Sequence, residues 1–216
     1  MKTLVIDVGG TNVKLLATGK RTPIKIESGT EMTPQRMVEQ TKEATAHWDY
    51  DRISIGFPGP VRNDQPLHEP WNLGKGWVGF NFKRAFGKPV RLINDAAMQA
   101  LGSYSGGRML FLGLGTGLGS TMIYEGTLIP LELAHLPYEH GESYEAWVGN
   151  AGYDDLGKRR WRKHVLDIVD LFMAALQVDY VVLGGGNARH MKDLPKYVRL
   201  GSNAHAFKGG FRMWDD

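Results

Sequence analysis

The chain has 216 residues, of which 42% are hydrophobic and 23% charged, with a formal charge of +3. That length accommodates one large domain or two small lobes with a real core, and so mild a charge does not by itself imply a nucleic-acid partner. The absence of cysteine excludes disulfides, thiolate catalysis and Cys-based zinc sites, and no apolar stretch reaches membrane-spanning length.

Met1-Lys2-Thr3 passes directly into an apolar strand that Asp7 and Gly9 break too early for a secretory leader. The expected location is therefore the cytoplasm. This strand opens a motif that occurs twice: strand, Gly/Thr-rich turn, strand. The first copy runs from Leu4 to Leu16 through Asp7, Gly9, Gly10, Thr11 and Lys14. The second runs from Met109 to Tyr124 through Gly113, Gly115, Thr116, Gly117 and Gly119. A hairpin tip that is nearly bare backbone presents several N–H groups and a Thr hydroxyl to one anion. Two such tips, one in each half, predict two lobes gripping a phosphate chain, hence phosphoryl transfer. Neither copy has the Lys-Ser/Thr pair of a Walker loop, and the residues after Gly119 alternate like a strand rather than opening a dinucleotide-binding helix. The plainer alternative is a pair of tight turns with no ligand.

Between the two copies, Thr22 to Glu27 reads as a strand placed near an edge by Pro23. Thr33-Pro34 starts a helix whose face carries Met37, Thr41, Ala44 and Trp48. Arg52 to Phe57 is the next strand, closed by Pro58-Gly59-Pro60. Residues 61–80 show no period and read as a loop. Pro89 to Ile93 is a strand ending on Asn94-Asp95, and Ala96 to Ser103 a helix with Asp95 near its N-terminus. The lobe boundary is expected near residues 94–107, giving a smaller lobe over 1–100 and a larger one over 101–216.

After the second hairpin and a turn at Glu125-Gly126, a polar loop rich in His and Glu fills 131–146. A basic stretch, Lys158-Arg159-Arg160-Trp161-Arg162-Lys163-His164, leads into a long helix with Val165, Ile168, Val169, Phe172 and Leu176 on its apolar face. Tyr180 to Leu183 is a buried strand ending on Gly184-Gly185-Gly186. Strands and helices alternate in both halves, so the class is α/β. The echo of the hairpin suggests a duplication.

Several residues carry candidate chemistry. Asp95, held at a strand-to-helix junction, suits a base that takes a hydroxyl proton, or simply a helix cap. Glu132, His135 and Glu145 form a second polar constellation of acceptors and donors, whose plain reading is a solvated acidic loop. A metal set of His135, Glu139 and His140 matches no zinc spacing. Asp7 suits Mg²⁺ held through water. Thr11 fits the phosphate turn, and Lys14 either joins it or faces solvent. The basic run reads first as the wet face of a helix with Trp161 against the core, and last as a nucleic-acid site.

Six segments in order resemble the ROK family of sugar kinases, within the actin-like ATPase superfamily. They are Asp7 to Lys14, Gly56 to Val61, Asn94 to Ala97, Gly113 to Ser120, Glu132 to His135, and Val182 to Gly186. Within that family the chain looks closest to the polyphosphate/ATP glucokinases. The resemblance implies a two-lobed actin-like (ribonuclease H-like) fold with an interlobe cleft, and transfer from ATP or polyphosphate to the 6-hydroxyl of glucose or a close hexose. By resemblance Asp95 is the catalytic base, and Asn94, Glu132, His135 and Glu145, with Asn72, bind the sugar. Asp7, Gly9, Gly10, Thr11, Lys14, Gly115, Thr116 and Gly117 hold phosphate and Mg²⁺, while Gly184, Gly185 and Gly186 admit adenine. The resemblance also implies a homodimer, no nucleic-acid or membrane partner, and, without the cysteines of zinc-bearing members, no zinc. A basic groove for polyphosphate is the family-specific reading of the 158–164 run. The chain is shorter than typical members, with a reduced first lobe. The rival class is a non-enzymatic sugar sensor; sensors of the family carry an N-terminal DNA-binding extension, whereas this sequence begins at its first strand. A kinase for fructose, mannose or an N-acetylated sugar is the rival within the enzyme class.

Overall fold

In the computed structural model, which describes every residue except Asn203 and Asp216, the run Thr3–Val8 forms strand β1 with all six residues buried. Burial on both faces is what a central strand needs, and this run has no polar alternation to resist it. Strand β2 (Asn12–Ala17) pairs antiparallel with β1, and β3 (Ile24–Glu27) pairs antiparallel with β2 at the sheet edge. Helix α1 (Pro34–Ala44) starts where Thr33 Oγ1 accepts the Arg36 N–H at 3.2 Å, and it buries Met37, Val38 and Thr41. Strand β4 (Arg52–Phe57) lies parallel to β1.

The stretch expected as a plain loop holds a small hairpin, β5 (Val61–Arg62) with β6 (Gln65–Pro66). Asn63 and Asp64 turn it at positive φ, a conformation these two residue types tolerate. Helix α2 (Phe82–Phe86) is capped by Asn81 and stopped by Gly87 in the left-handed region. At five residues it is too short to print a period. Strand β7 (Val90–Asn94) runs parallel to β4 and feeds helix α3 (Asp95–Ser103).

The second half repeats the plan. Strands β8 (Arg108–Leu114), β9 (Leu118–Tyr124) and β10 (Thr127–Leu131) form an antiparallel meander. Two short 3₁₀ turns, Leu133–His135 and Glu139–Gly141, precede helix α4 (Tyr144–Val148). Helix α5 (Asn150–Leu176) breaks at Gly157 (φ 70°, ψ 160°) and buries Trp161, Val165, Ile168, Val169 and Phe172. Strand β11 (Tyr180–Gly184) lies parallel to β8, and β12 (Val198–Leu200) parallel to β11. The two sheets have the orders β3-β2-β1-β4-β7 and β10-β9-β8-β11-β12, with the same strand senses in both. The duplication suggested by the hairpins thus extends to the whole sheet.

The chain divides into two compact units: residues 1–98 joined by the segment from Ala206 onward, and Gln99–His205. The last segment is where this organisation differs from a simple split at residue 100. Most of helix α6 (Ala204–Arg212) and the residues after it pack in the first unit. Ser54, a fully buried hydroxyl in the middle of β4, donates to Gly210 O at 2.5 Å and accepts from Trp214 Nε1 at 2.8 Å. A polar group buried in a strand needs such partners, and the tail supplies them. Among the described residues no helix is long and apolar enough to cross a membrane.

Candidate functional site

In the first unit the β1–β2 tip is drawn closed by the Gly9 N–H, which donates to Asn12 O at 3.1 Å. Ser28, just past β3, donates its hydroxyl to Gly9 O at 2.6 Å, while its N–H reaches Thr11 O at 3.0 Å. A Cβ on Gly10 would come within 3.1 Å of the Asn72 side chain, so Asn72 lies directly on the turn. Thr11 is exposed at the tip. Asp7 and Lys14 face each other across the hairpin, and Lys14 Nζ sits 3.0 Å from Asp7 Oδ2. Asp7 is only 8% exposed. Lys14 thus pairs with Asp7 on the hairpin that carries the first turn.

Strand register brings Asp95 to the same end of the sheet. Asp7 pairs with Gly56 on β4, Gly56 with Ile93 on β7, and Asp95 follows two residues later. A side chain at Gly56 would displace the end of the Met98 side chain and lie in contact with the Asp95 backbone. Asn94 caps α3, its Oδ1 accepting from Ala97 N at 3.1 Å and its Nδ2 donating to Gly59 O at 3.1 Å. With Asn94 as cap, Asp95 is freed from that role. Its Oδ1 accepts the Ala96 N–H at 2.8 Å. Burial, then the nearby Asp7 charge, push the Asp95 carboxyl from 3.8 up to about 7, against weaker downward pulls from the Ala96 N–H and Lys14.

Two carboxylates facing one lysine leave a local excess of negative charge in oxygen ligands, the donor chemistry Mg²⁺ prefers. Among the described residues no three His, Asp or Glu side chains gather into a metal cage. One or two carboxylates completed by donor phosphates and water is a fitting arrangement for that ion.

In the second unit the β8–β9 tip closes with Gly115 N donating to Gly117 O at 3.1 Å, and Thr116 is exposed at its apex. Gly115 has open space beside it, whereas a Cβ on Gly117 would collide with the Glu145 carboxylate. Glu145, in the first turn of α4, accepts the Leu118 N–H at 3.1 Å through Oε2. Glu132 and His135 flank the first 3₁₀ turn, exposed and 3.9 Å apart. That turn is fastened to β9: Ser120 Oγ donates to Leu131 O at 2.9 Å and accepts from Leu133 N at 3.0 Å. Nothing in the sequence spacing pointed to Ser28, Ser120 or the Leu118 N–H, because their roles arise from pairing across the sheet.

The three glycines after β11 differ from one another. A side chain on Gly184 would strike the Phe111 ring; Gly185 has φ 78° and no room against Leu114; Gly186 is exposed with open space. Only the last is free for close approach by a ligand. The basic run lies on α5, with Lys158, Arg159, Arg160 and Lys163 exposed and Trp161 fully buried, its Nε1 donating to Val148 O at 3.0 Å. Two clefts of about 600 and 240 Å³ on the first unit surround Asp64, Lys83 and Val90, and no candidate residue lines them.

Paired five-stranded sheets with glycine-rich hairpin tips define the actin-like ATPase fold, and solved structures agree. The inorganic polyphosphate/ATP-glucomannokinase of Arthrobacter sp. strain KM matches with a TM-score of 0.80 at 22% identity, over 97% of this chain and 96% of that one. A ROK family glucokinase from Streptomyces griseus, solved with glucose and AMPPNP, matches with a TM-score of 0.73 at 16% identity, over 99% of both chains. A ROK family transcriptional regulator homologous to the E. coli MLC protein shares the fold at a TM-score of 0.69 and 16% identity, over 97% of this chain and 76% of its own. The ROK family profile matches residues 3–130. The chain belongs to the ROK family. Among its relatives, the polyphosphate glucokinase of Mycobacterium tuberculosis is 28% identical over 205 residues, 85% of this chain and 77% of the relative.

Proposed function

We infer that this chain is a sugar kinase that transfers a phosphoryl group from ATP or polyphosphate to the 6-hydroxyl of glucose or a close hexose. The observation that carries this reading is Asp95: a carboxyl at a rigid strand-to-helix junction, with an affinity for protons near neutrality. It takes the hydroxyl proton as the new O–P bond forms and the bond to the donor's leaving phosphate breaks. Asn94, Asn72, Glu132, His135 and Glu145 hold the sugar hydroxyls. The Gly9–Thr11 and Gly115–Gly117 turns hold donor phosphates, and Gly186 leaves room for adenine when ATP is the donor. Mg²⁺, held at Asp7 through water and by the donor phosphates, supplies charge neutralisation when bound. Support comes from the relatives named polyphosphate glucokinase.

A sensor reading has one observation in its favour, the regulator that shares the fold. A sensor, however, has no use for a carboxyl poised near pH 7 beside a second one. The test is formation of glucose 6-phosphate with Mg²⁺ and either donor, in the wild type and in Asp95→Asn, alongside calorimetric glucose binding. Product in the wild type alone, with sugar binding in both, supports the kinase; binding without product in the wild type supports the sensor.

A further inference from the structure

Glu145 is a candidate sugar ligand that touches the second candidate phosphate turn. Its Oε2 accepts the Leu118 N–H at 3.1 Å, and its carboxylate fills the space that any side chain at Gly117 would need. Gly117 is not in the left-handed region, so the space beside it is occupied by the Glu145 carboxylate rather than closed by backbone conformation. Among the described residues no cation pairs with Glu145, and its Oε1 accepts no hydrogen bond. An uncompensated negative charge therefore rests on an N–H at the tip proposed to receive a phosphate. A second tie joins the same two regions: Ser120, two residues after Leu118, anchors the Glu132–His135 turn through Leu131 and Leu133.

We propose that Glu145 couples the acceptor to the donor. Without sugar its carboxylate occupies the second turn and repels a phosphate there, since like charges a few ångströms apart disfavour each other strongly. Sugar hydroxyls offer the carboxylate better donors, drawing it off Leu118 and releasing both the N–H and the space beside Gly117. Sugar binding thereby tightens donor binding, and by reciprocity the donor tightens sugar binding. Hydrolysis of the donor by water is correspondingly restrained when no sugar is present. This inference rests on the proposed assignment of the turn to phosphate and of Glu145 to sugar.

The test is calorimetric binding of inorganic tripolyphosphate with Mg²⁺, with and without saturating glucose, to the wild type and to Glu145→Gln. Without sugar, Glu145→Gln is expected to bind roughly tenfold tighter than the wild type, and glucose is expected to narrow that gap. A merely structural role for Glu145 gives the opposite sign, weaker binding in the variant. Equal or weaker binding by the variant without sugar overturns the proposal while leaving the phosphate assignment standing. Failure of both proteins to bind tripolyphosphate overturns the phosphate assignment and this inference with it. Should Glu145→Gln not fold, as judged by circular dichroism, Glu145→Asp serves: its shorter arm cannot reach Leu118 N–H, and it is expected to bind tripolyphosphate tighter than the wild type as well.

Discussion

Replacing Asp95 with Asn separates catalysis from stability, because the two effects have opposite signs. In the folded chain the Asp95 carboxyl is pushed from 3.8 up to about 7 by burial and by Asp7. Its raised value means that the fold disfavours the carboxylate. Below about pH 3.8 the group is protonated folded and unfolded, and nothing is lost. As pH rises the cost grows, and it is complete above about 7. At ~1.36 kcal/mol per pKa unit the shift corresponds to at most ~4 kcal/mol, and partial exposure of the side chain screens this to ~2–3 kcal/mol. Asn keeps an oxygen for the Ala96 N–H and carries no charge. Asp95→Asn should therefore melt ~4–12 °C above the wild type at pH 8, at ~2–4 °C per kcal/mol for a chain of this size, and converge with it near pH 4. Turnover should fall by ~10²–10⁴-fold, the usual contribution of a general base. Thermal melts at the two pH values beside initial rates at saturating sugar decide the matter. A variant no more stable than the wild type at pH 8 would refute the electrostatic argument, and near-normal turnover would refute the base.

Further predictions concern the groups around Asp95 and the core. Lys14 draws the Asp95 carboxyl down, so Lys14→Met should move the acid limb of the kcat/KM profile to higher pH and raise the donor KM; an unmoved limb contradicts the Asp7–Lys14–Asp95 arrangement. Gly56→Ala places a methyl against Met98 and the Asp95 backbone, at a cost of ~1–3 kcal/mol, and should lower kcat together with the melting temperature. Trp161→Phe removes the Nε1–Val148 bond in a fully buried site. It should lower stability by ~1–2 kcal/mol in denaturant titrations while leaving the pH profile in place.

What could be read from the sequence was whatever is written locally. The Gly/Thr tips, the Thr33-Pro34 helix start and the apolar run before Gly184 each carry their signal within a few consecutive residues, and each stands where expected. Short elements without a period were not legible: α2 has five residues and β12 three. The tail was illegible for another reason, since its place in the first unit is set by the needs of Ser54, 156 to 160 residues away. The candidate site divides in the same way. Asp7 and Asp95 could be found as isolated acids, but their mutual influence depends on three strands in register through Gly56. Likewise Glu145 and Gly117 looked like members of separate constellations, and only folding shows that one occupies the space beside the other.

The central claim is that this chain moves a phosphoryl group onto a sugar. Its most direct test is transfer of labelled terminal phosphate, from ATP and separately from polyphosphate, to glucose in the presence of Mg²⁺, with the position of the product phosphate read by phosphorus NMR. Label on the 6-oxygen from at least one donor is the predicted result. Glucose bound by calorimetry but left unlabelled by both donors would contradict it.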